Sequence, residues 1–168
     1  MHSVRNWRFR KPEVARNSSA SKQAALVDQI NRYWGWTGLN AVEVVGRNKF
    51  GNFLVLDKDG TFWRICPEQL ACDIVADTPA EFESLINDPE FNLDWQMSAI
   101  VEITRKKFGL QKMGWVYYLV IPDLFGGLYD EVNIQTVPIN QLIAHSGEWA
   151  FAIKDLPEGG QIRLRVID

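Results

Sequence analysis

Residues 50–66 read FGNFLVLDKDGTFWRIC, and this stretch sets the fold class. Two runs of Val, Leu, Ile and aromatic residues flank Asp57-Lys58-Asp59-Gly60, whose side chains favour a tight reversal of the chain. The pattern predicts a β-hairpin, Phe50 to Leu56 paired with Thr61 to Cys66. A calcium loop beginning at Asp57 would bring Glu68 to its twelfth position. It would also need glycine at the sixth, where Phe62 stands, so the turn is the better reading. Ala41 to Gly46 upstream has the same β-prone composition and reads as a strand, and Ala71 to Val75 downstream is a candidate short strand.

Helices frame these strands. Leu26, Ile30, Tyr33 and Trp34 recur at helical spacing after Ser21, and Gly35 stops the run. Thr78-Pro79-Ala80-Glu81 combines an N-cap, a first-turn proline and a capping-box acid. That helix buries Phe82, Leu85 and Ile86 and ends by Asp88, ahead of Pro89. From about Asn92 a longer helix is predicted, with a stripe of Leu93, Met97, Ile100, Val101, Thr104 and Phe108 ended by Gly109. Trp115 to Ile121 and Val132 to Val137 read as strands, and Asn140 to His145 as a short helix. Trp149 to Ile153 and Gln161 to Ile167 read as a last hairpin around Pro157-Glu158-Gly159-Gly160.

The order predicts an α+β fold: a single domain over 21–168, with one antiparallel-rich sheet packed by about three helices, near 21–34, 79–87 and 92–108. Its expected core comprises Leu26, Ile30, Phe53, Val55, Phe82, Leu85, Met97, Ile100, Val101, Val116, Leu119 and Phe151. Residues 1–20 form a basic leader of linker-like composition, Asn17-Ser18-Ser19-Ala20-Ser21 included, expected to be mobile or docked on a neighbour. Residues 1–22 hold six bases against one acid, and the rest of the chain twelve bases against twenty acids.

At 168 residues and 46% hydrophobic, the chain can bury one good core. It contains no run of about 18 apolar residues that could span a membrane. The first residues lack the apolar core of a signal peptide. Two cysteines are too few for a disulfide framework, so a cytoplasmic protein with reduced thiols is the default expectation.

Chemistry-bearing residues are few. His145 is the only histidine past the leader, and before Ser146-Gly147 it suits a helix C-terminus better than a general base. Cys66 and Cys72 lack zinc-ligand spacing and read as small buried hydrophobes. Gly126-Gly127 has no phosphate-loop partners. No carboxylate pair stands out from the many available. The expectation is a protein without catalytic residues, metal or cofactor.

Charge is distributed less evenly. From Ile65 to Thr104 no Lys or Arg occurs, while nine carboxylates do. Charge runs of this kind usually form a solvated face. A one-sided field also attracts cationic partners and repels nucleic acid. Asp77, Glu81, Glu83, Asp88, Glu90 and Asp94 crowd two helix starts without an interleaved base, which makes them the candidate partner-binding residues.

Two stretches carry a resemblance. One is Phe50-Gly51-Asn52-Phe53-Leu54-Val55-Leu56-Asp57 with Gly60 and Thr61-Phe62-Trp63-Arg64-Ile65. The other is Gly109-Leu110, Trp115-Val116-Tyr117-Tyr118 and Pro122-Asp123-Leu124-Phe125-Gly126-Gly127, continued by Val132 to Leu142. Together, over about 33–142, they resemble the C-terminal domain of bacterial immunity proteins against type VI secretion DNase effectors, a domain often found beside a GAD-like domain. Asn52 stands where that family commonly has an acid, and the Pro-to-Gly-Gly segment is a residue short.

The resemblance implies an immunity protein that neutralises a cognate basic toxin, a nuclease, through its acidic helical face. A nuclease cleft is basic because it holds a polyanion, and an acidic inhibitor can occupy it without catalytic residues of its own. The alternative expectation is a ligand-binding or adaptor module using the aromatic strand near Trp115, Tyr117 and Tyr118. A hydrolase using a carboxylate pair comes third.

Overall fold

A computed structural model describes residues 16–164; residues 1–15 and 165–168, with most of the leader and the end of the expected last strand, lie outside the described residues. Four strands, β1 (Ala41–Arg47), β2 (Phe53–Asp57), β3 (Phe62–Cys66) and β4 (Ala71–Ala76), form an antiparallel meander. The predicted turn closes it: Gly60 N–H donates to the Asp57 carbonyl at 3.0 Å, and Gly60 takes φ +85°. Buried Asp57 adds side-chain bonds, accepting the Asn40 N–H at 2.6 Å and the Asp59 N–H at 2.8 Å.

The register sorts the sheet into two faces, because successive residues point to opposite sides. Phe53 lies opposite Ile65 and Ile65 opposite Cys72, while Leu54 lies opposite Arg64 and Arg64 opposite Asp73. The first face is apolar. Phe53, Val55 and Ile65 pack there with Ile30 and Trp34 of α1 (Arg16–Trp34) and with Ile143 and Ala150 of α5 (Ile139–Ile153). The second face carries Leu54, Phe62 and Arg64, and α2 (Pro79–Ile86) and α3 (Pro89–Gln96) meet it. Phe82 of α2 stacks on Phe62 with ring centroids 4.0 Å apart, and the Arg64 guanidinium lies 5.6 Å from the Trp95 ring of α3.

A second pair, β5 (Trp115–Leu119) and β6 (Ile134–Pro138), is antiparallel and separate from the meander. The expected single sheet is therefore two. One main-chain bond, Tyr117 N–H to the Lys49 carbonyl at 2.9 Å, ties β5 to the turn between β1 and β2. Behind this pair Ile100 of α4 (Ser98–Phe108) packs with Phe50, Tyr117, Leu119 and Ile134. Replacing Ile100 with Ala should cost about 2–5 kcal/mol of stability, measured by denaturant unfolding. A loss near zero would mean that the contact is not a core contact.

Three expectations need correction besides the sheet count. First, the long helix is broken: Met97 adopts φ 48°, ψ 37°, ending α3 and beginning α4. On either side of the break, Phe91 and Trp95 face Arg64 and Ile100 packs against the β5–β6 pair. Leu93 consequently lies exposed rather than in the stripe.

Second, Trp149 to Ile153 are helical, not a strand. α5 runs from Ile139 through His145 and Gly147, so His145 is mid-helix and exposed, and Phe151 is exposed instead of core. Residues 161–164 form no strand. The helix continues through Gly147 because that glycine lies against α1; a Cβ there would sit 2.6 Å from the Tyr33 carbonyl oxygen.

Third, α1 begins at Arg16, so the linker-like Asn17 to Ser21 is helical backbone. Leu26, Phe82, Leu85, Met97 and Val101 are half-buried, and the other expected core residues apart from Phe151 are buried.

Candidate partner-binding face

The six candidate carboxylates lie together along the β4–α2–α3 path, and all six are exposed. Local capping explains why the chain places acids there. Thr78 Oγ1 accepts the Glu81 N–H at 3.2 Å, and Glu81 Oε2 reaches back to the Asp77 N–H at 2.8 Å. Asp88 Oδ1 caps α3, accepting from Glu90 N at 2.8 Å and Phe91 N at 2.9 Å. Asp94 Oδ2 accepts from Arg64 Nη1 at 2.6 Å. Glu81, Asp88 and Asp94 thus also serve the fold, whereas the Asp77, Glu83 and Glu90 carboxylates take no hydrogen bond or ion pair among the described residues.

A polar network beneath this face was not foreseen. Asn52, fully buried, donates from Nδ2 to both oxygens of Glu68 at 2.9 Å, and its Oδ1 accepts from Arg64 Nη2 at 3.0 Å. Arg64 then reaches Asp94 and lies over the Phe91 and Trp95 rings, at 6.0 and 5.6 Å. The chain Glu68–Asn52–Arg64–Asp94 therefore tethers α3 to the sheet. The exposed end of such a chain is worth about 1 kcal/mol or less as an ion pair. Its larger effect is to fix where α3 sits.

Asn52 suits this place because its amide donates to a carboxylate and accepts from a guanidinium. The signal available in the sequence was Glu68 itself, a polar residue among buried ones after Pro67, hidden within the acidic run.

Burial pushes the Glu68 carboxyl above its usual range, although the Asn52 hydrogen bond opposes the shift. The folded state then holds the proton more tightly than the unfolded state. The contribution to stability is whole below the ordinary carboxyl pKa of 4.5 and is lost as pH rises through the folded value. Glu68→Gln keeps an acceptor for Asn52 and removes the titration. Relative to that variant, the native protein should lose stability from about pH 4.5 toward neutrality. Parallel stability–pH curves would refute this.

The network opens on a cleft of about 450 Å³ lined by Arg64, Cys66, Glu68, Asp73, Asp94 and Tyr129, among others. Burial raises the Cys66 thiol to about 12 and the Cys72 thiol to about 11, so both are protonated and poorly nucleophilic near neutral pH. The two thiols are free and, one register step apart on β3 and β4, point to opposite faces of the sheet. Among the described residues no three His, Cys, Asp or Glu side chains converge as metal ligands would.

The aromatic strand is mostly interior. Tyr117 is buried against Phe50, with ring centroids 5.7 Å apart. Tyr118 lines a cavity of about 170 Å³ with Leu142, His145 and Trp149. That is below the roughly 300–1,000 Å³ of ordinary small-molecule sites.

No family model matches the chain, and no curated protein matches it. Among solved structures, the crystal structure of Atu4351 from Agrobacterium tumefaciens is similar, with a TM-score of 0.52 and 14% sequence identity. The match covers 75% of this chain and spans 64% of the length of that one. At this identity the likeness is one of fold. No described helix is long and apolar enough to cross a membrane.

Proposed function

We propose that this protein is a non-catalytic immunity protein that binds and neutralises a cognate basic toxin of the nuclease class, acting in the cytoplasm. The observation that carries the reading is the acidic face itself. Two consecutive short helices, neither with a buried residue, and the turn before them present six exposed carboxylates. Arg64, the base that meets this face at Asp94, is also engaged by buried Asn52. Such a face steers a basic partner into contact and can occupy a cleft built for phosphates. The residues that resemble an immunity domain lie chiefly in the hairpin and the β5 loop, which support this face or neighbour it.

Co-expression provides the test. If a nuclease toxin is encoded beside this gene, cells producing it should survive when the protein is made and die when it is not. Binding of the purified pair should weaken as salt rises, because exposed charges are screened within about 8–10 Å at physiological ionic strength. Absence of protection, or binding indifferent to salt, would reject the reading.

A further inference from the structure

Two apolar side chains stand exposed on the helices of the acidic face. On α3, Phe91 and Trp95 are one turn apart and face the sheet, their rings stacked with centroids 6.0 Å apart. Leu93, two residues from each, projects the opposite way and is 74% exposed. Ile86, at the end of α2, is 41% exposed. The corner between them is held rigid: Asn92 Nδ2 donates to the carbonyls of both Ile86 and Asp88 at 2.9 Å. Glu83 lies one turn before Ile86, and Glu90 one turn before Leu93.

Single exposed leucines are common on protein surfaces and by themselves carry no meaning. Here the two apolar side chains flank a fixed helical corner whose two helices also carry exposed carboxylates. Protein contact surfaces combine such features, apolar groups that are desolvated and charges that orient the partner. The same carboxylates repel nucleic acid and anionic lipid surfaces.

We infer that the α2–α3 corner docks a basic protein surface that places an apolar side chain against Leu93 and Ile86. Charge complementarity selects the partner, and the apolar contact holds it. In naming that partner as the toxin, the inference rests on the inhibitor reading above.

The test uses the whole protein and two probes: a short amphipathic helical peptide of leucine and lysine, and an oligolysine of equal charge. Binding is followed by methyl NMR shifts of Ile86 and Leu93 and by titration calorimetry. The leucine-bearing peptide should bind saturably, perturb both methyl groups, and bind about tenfold or more tightly than oligolysine, the difference expected from burying one leucine. Leu93→Ser should abolish that difference while leaving oligolysine binding and the fold unchanged. Equal affinity for the two peptides, no saturable binding of either, shifts centred elsewhere, or a silent Leu93→Ser would each overturn the inference.

The two proposals fail separately. Peptide docking at this corner without protection of cells would remove the inhibitor reading and leave the surface. Protection that survives Leu93→Ser but depends on the carboxylates would do the reverse.

Discussion

Replacing Glu81, Glu83 and Glu90 together with lysine is expected to slow association with the proposed toxin partner by roughly 10–10³-fold at low salt. The change moves the formal net charge from −3 to +3 and places all three new cations on the face proposed to meet a basic cleft. None of the three side chains is buried, so the core is untouched. The variant does remove the acceptor that Glu81 offers to the Asp77 N–H. The first turn of α2 should fray slightly, which circular dichroism would register separately from binding. The deficit should shrink as salt rises, since steering is screened while short-range contacts are not. Stopped-flow association of native and variant protein at two ionic strengths decides the matter. If the variant binds at the native rate and still protects cells, the face is a solvated surface and the contact lies elsewhere.

The second large effect is on stability. Gly127→Ala should cost about 3 kcal/mol or more, at the upper end of overpacking penalties. A Cβ at 127 would lie 1.7 Å from the Ile121 carbonyl oxygen and 2.8 Å from Asn133 Nδ2. Neither neighbour can yield freely. Asn133 donates to the Ile121 carbonyl and accepts the Ile121 N–H, both at 2.9 Å, and so closes the loop between β5 and β6. Gly127 N–H meanwhile donates to the Pro122 carbonyl at 3.1 Å.

Gly126 supplies the control within the same turn. It has φ +83° and open space around the Cβ position, so Gly126→Ala should cost only the roughly 1–2 kcal/mol of a left-handed residue. Melting curves that place the two variants level would show that the loop opens without loss.

The hairpin, the capping box at Thr78 and the spacing of Ile100 with Thr104 were legible because each depends on neighbours in the chain. A turn needs its glycine and acids, and a helix start needs its cap. The acidic face was legible for the same reason, since capping and charge are local. The failures share a different cause. Ser146 and Gly147 read as a helix stop, yet with Leu142, Ile143 and Ala150 they form the buried stripe of α5. The small residues there admit α1, whose Tyr33 backbone lies against Gly147. The break at Met97 answers to two partners, Arg64 on one side and the β5–β6 pair on the other, and neither is visible from 92–108. The Asn52–Glu68–Arg64 network joins residues twelve and sixteen positions apart through side-chain bonds across paired strands, which periodicity does not report.

By itself, then, the sequence determined the α+β class, the hairpin turning at Asp57 to Gly60, and the run of acids on two helix starts, because hydrophobic period, turn chemistry and charge act over a few residues. Tertiary structure alone decided that β5 and β6 stand apart from the main sheet, that α5 absorbs Trp149 to Ile153, and that α3 is pinned so that Leu93 faces outward among the carboxylates. Those outcomes depend on which surfaces meet. Close packing and the pairing of buried polar groups choose among local conformations of similar energy.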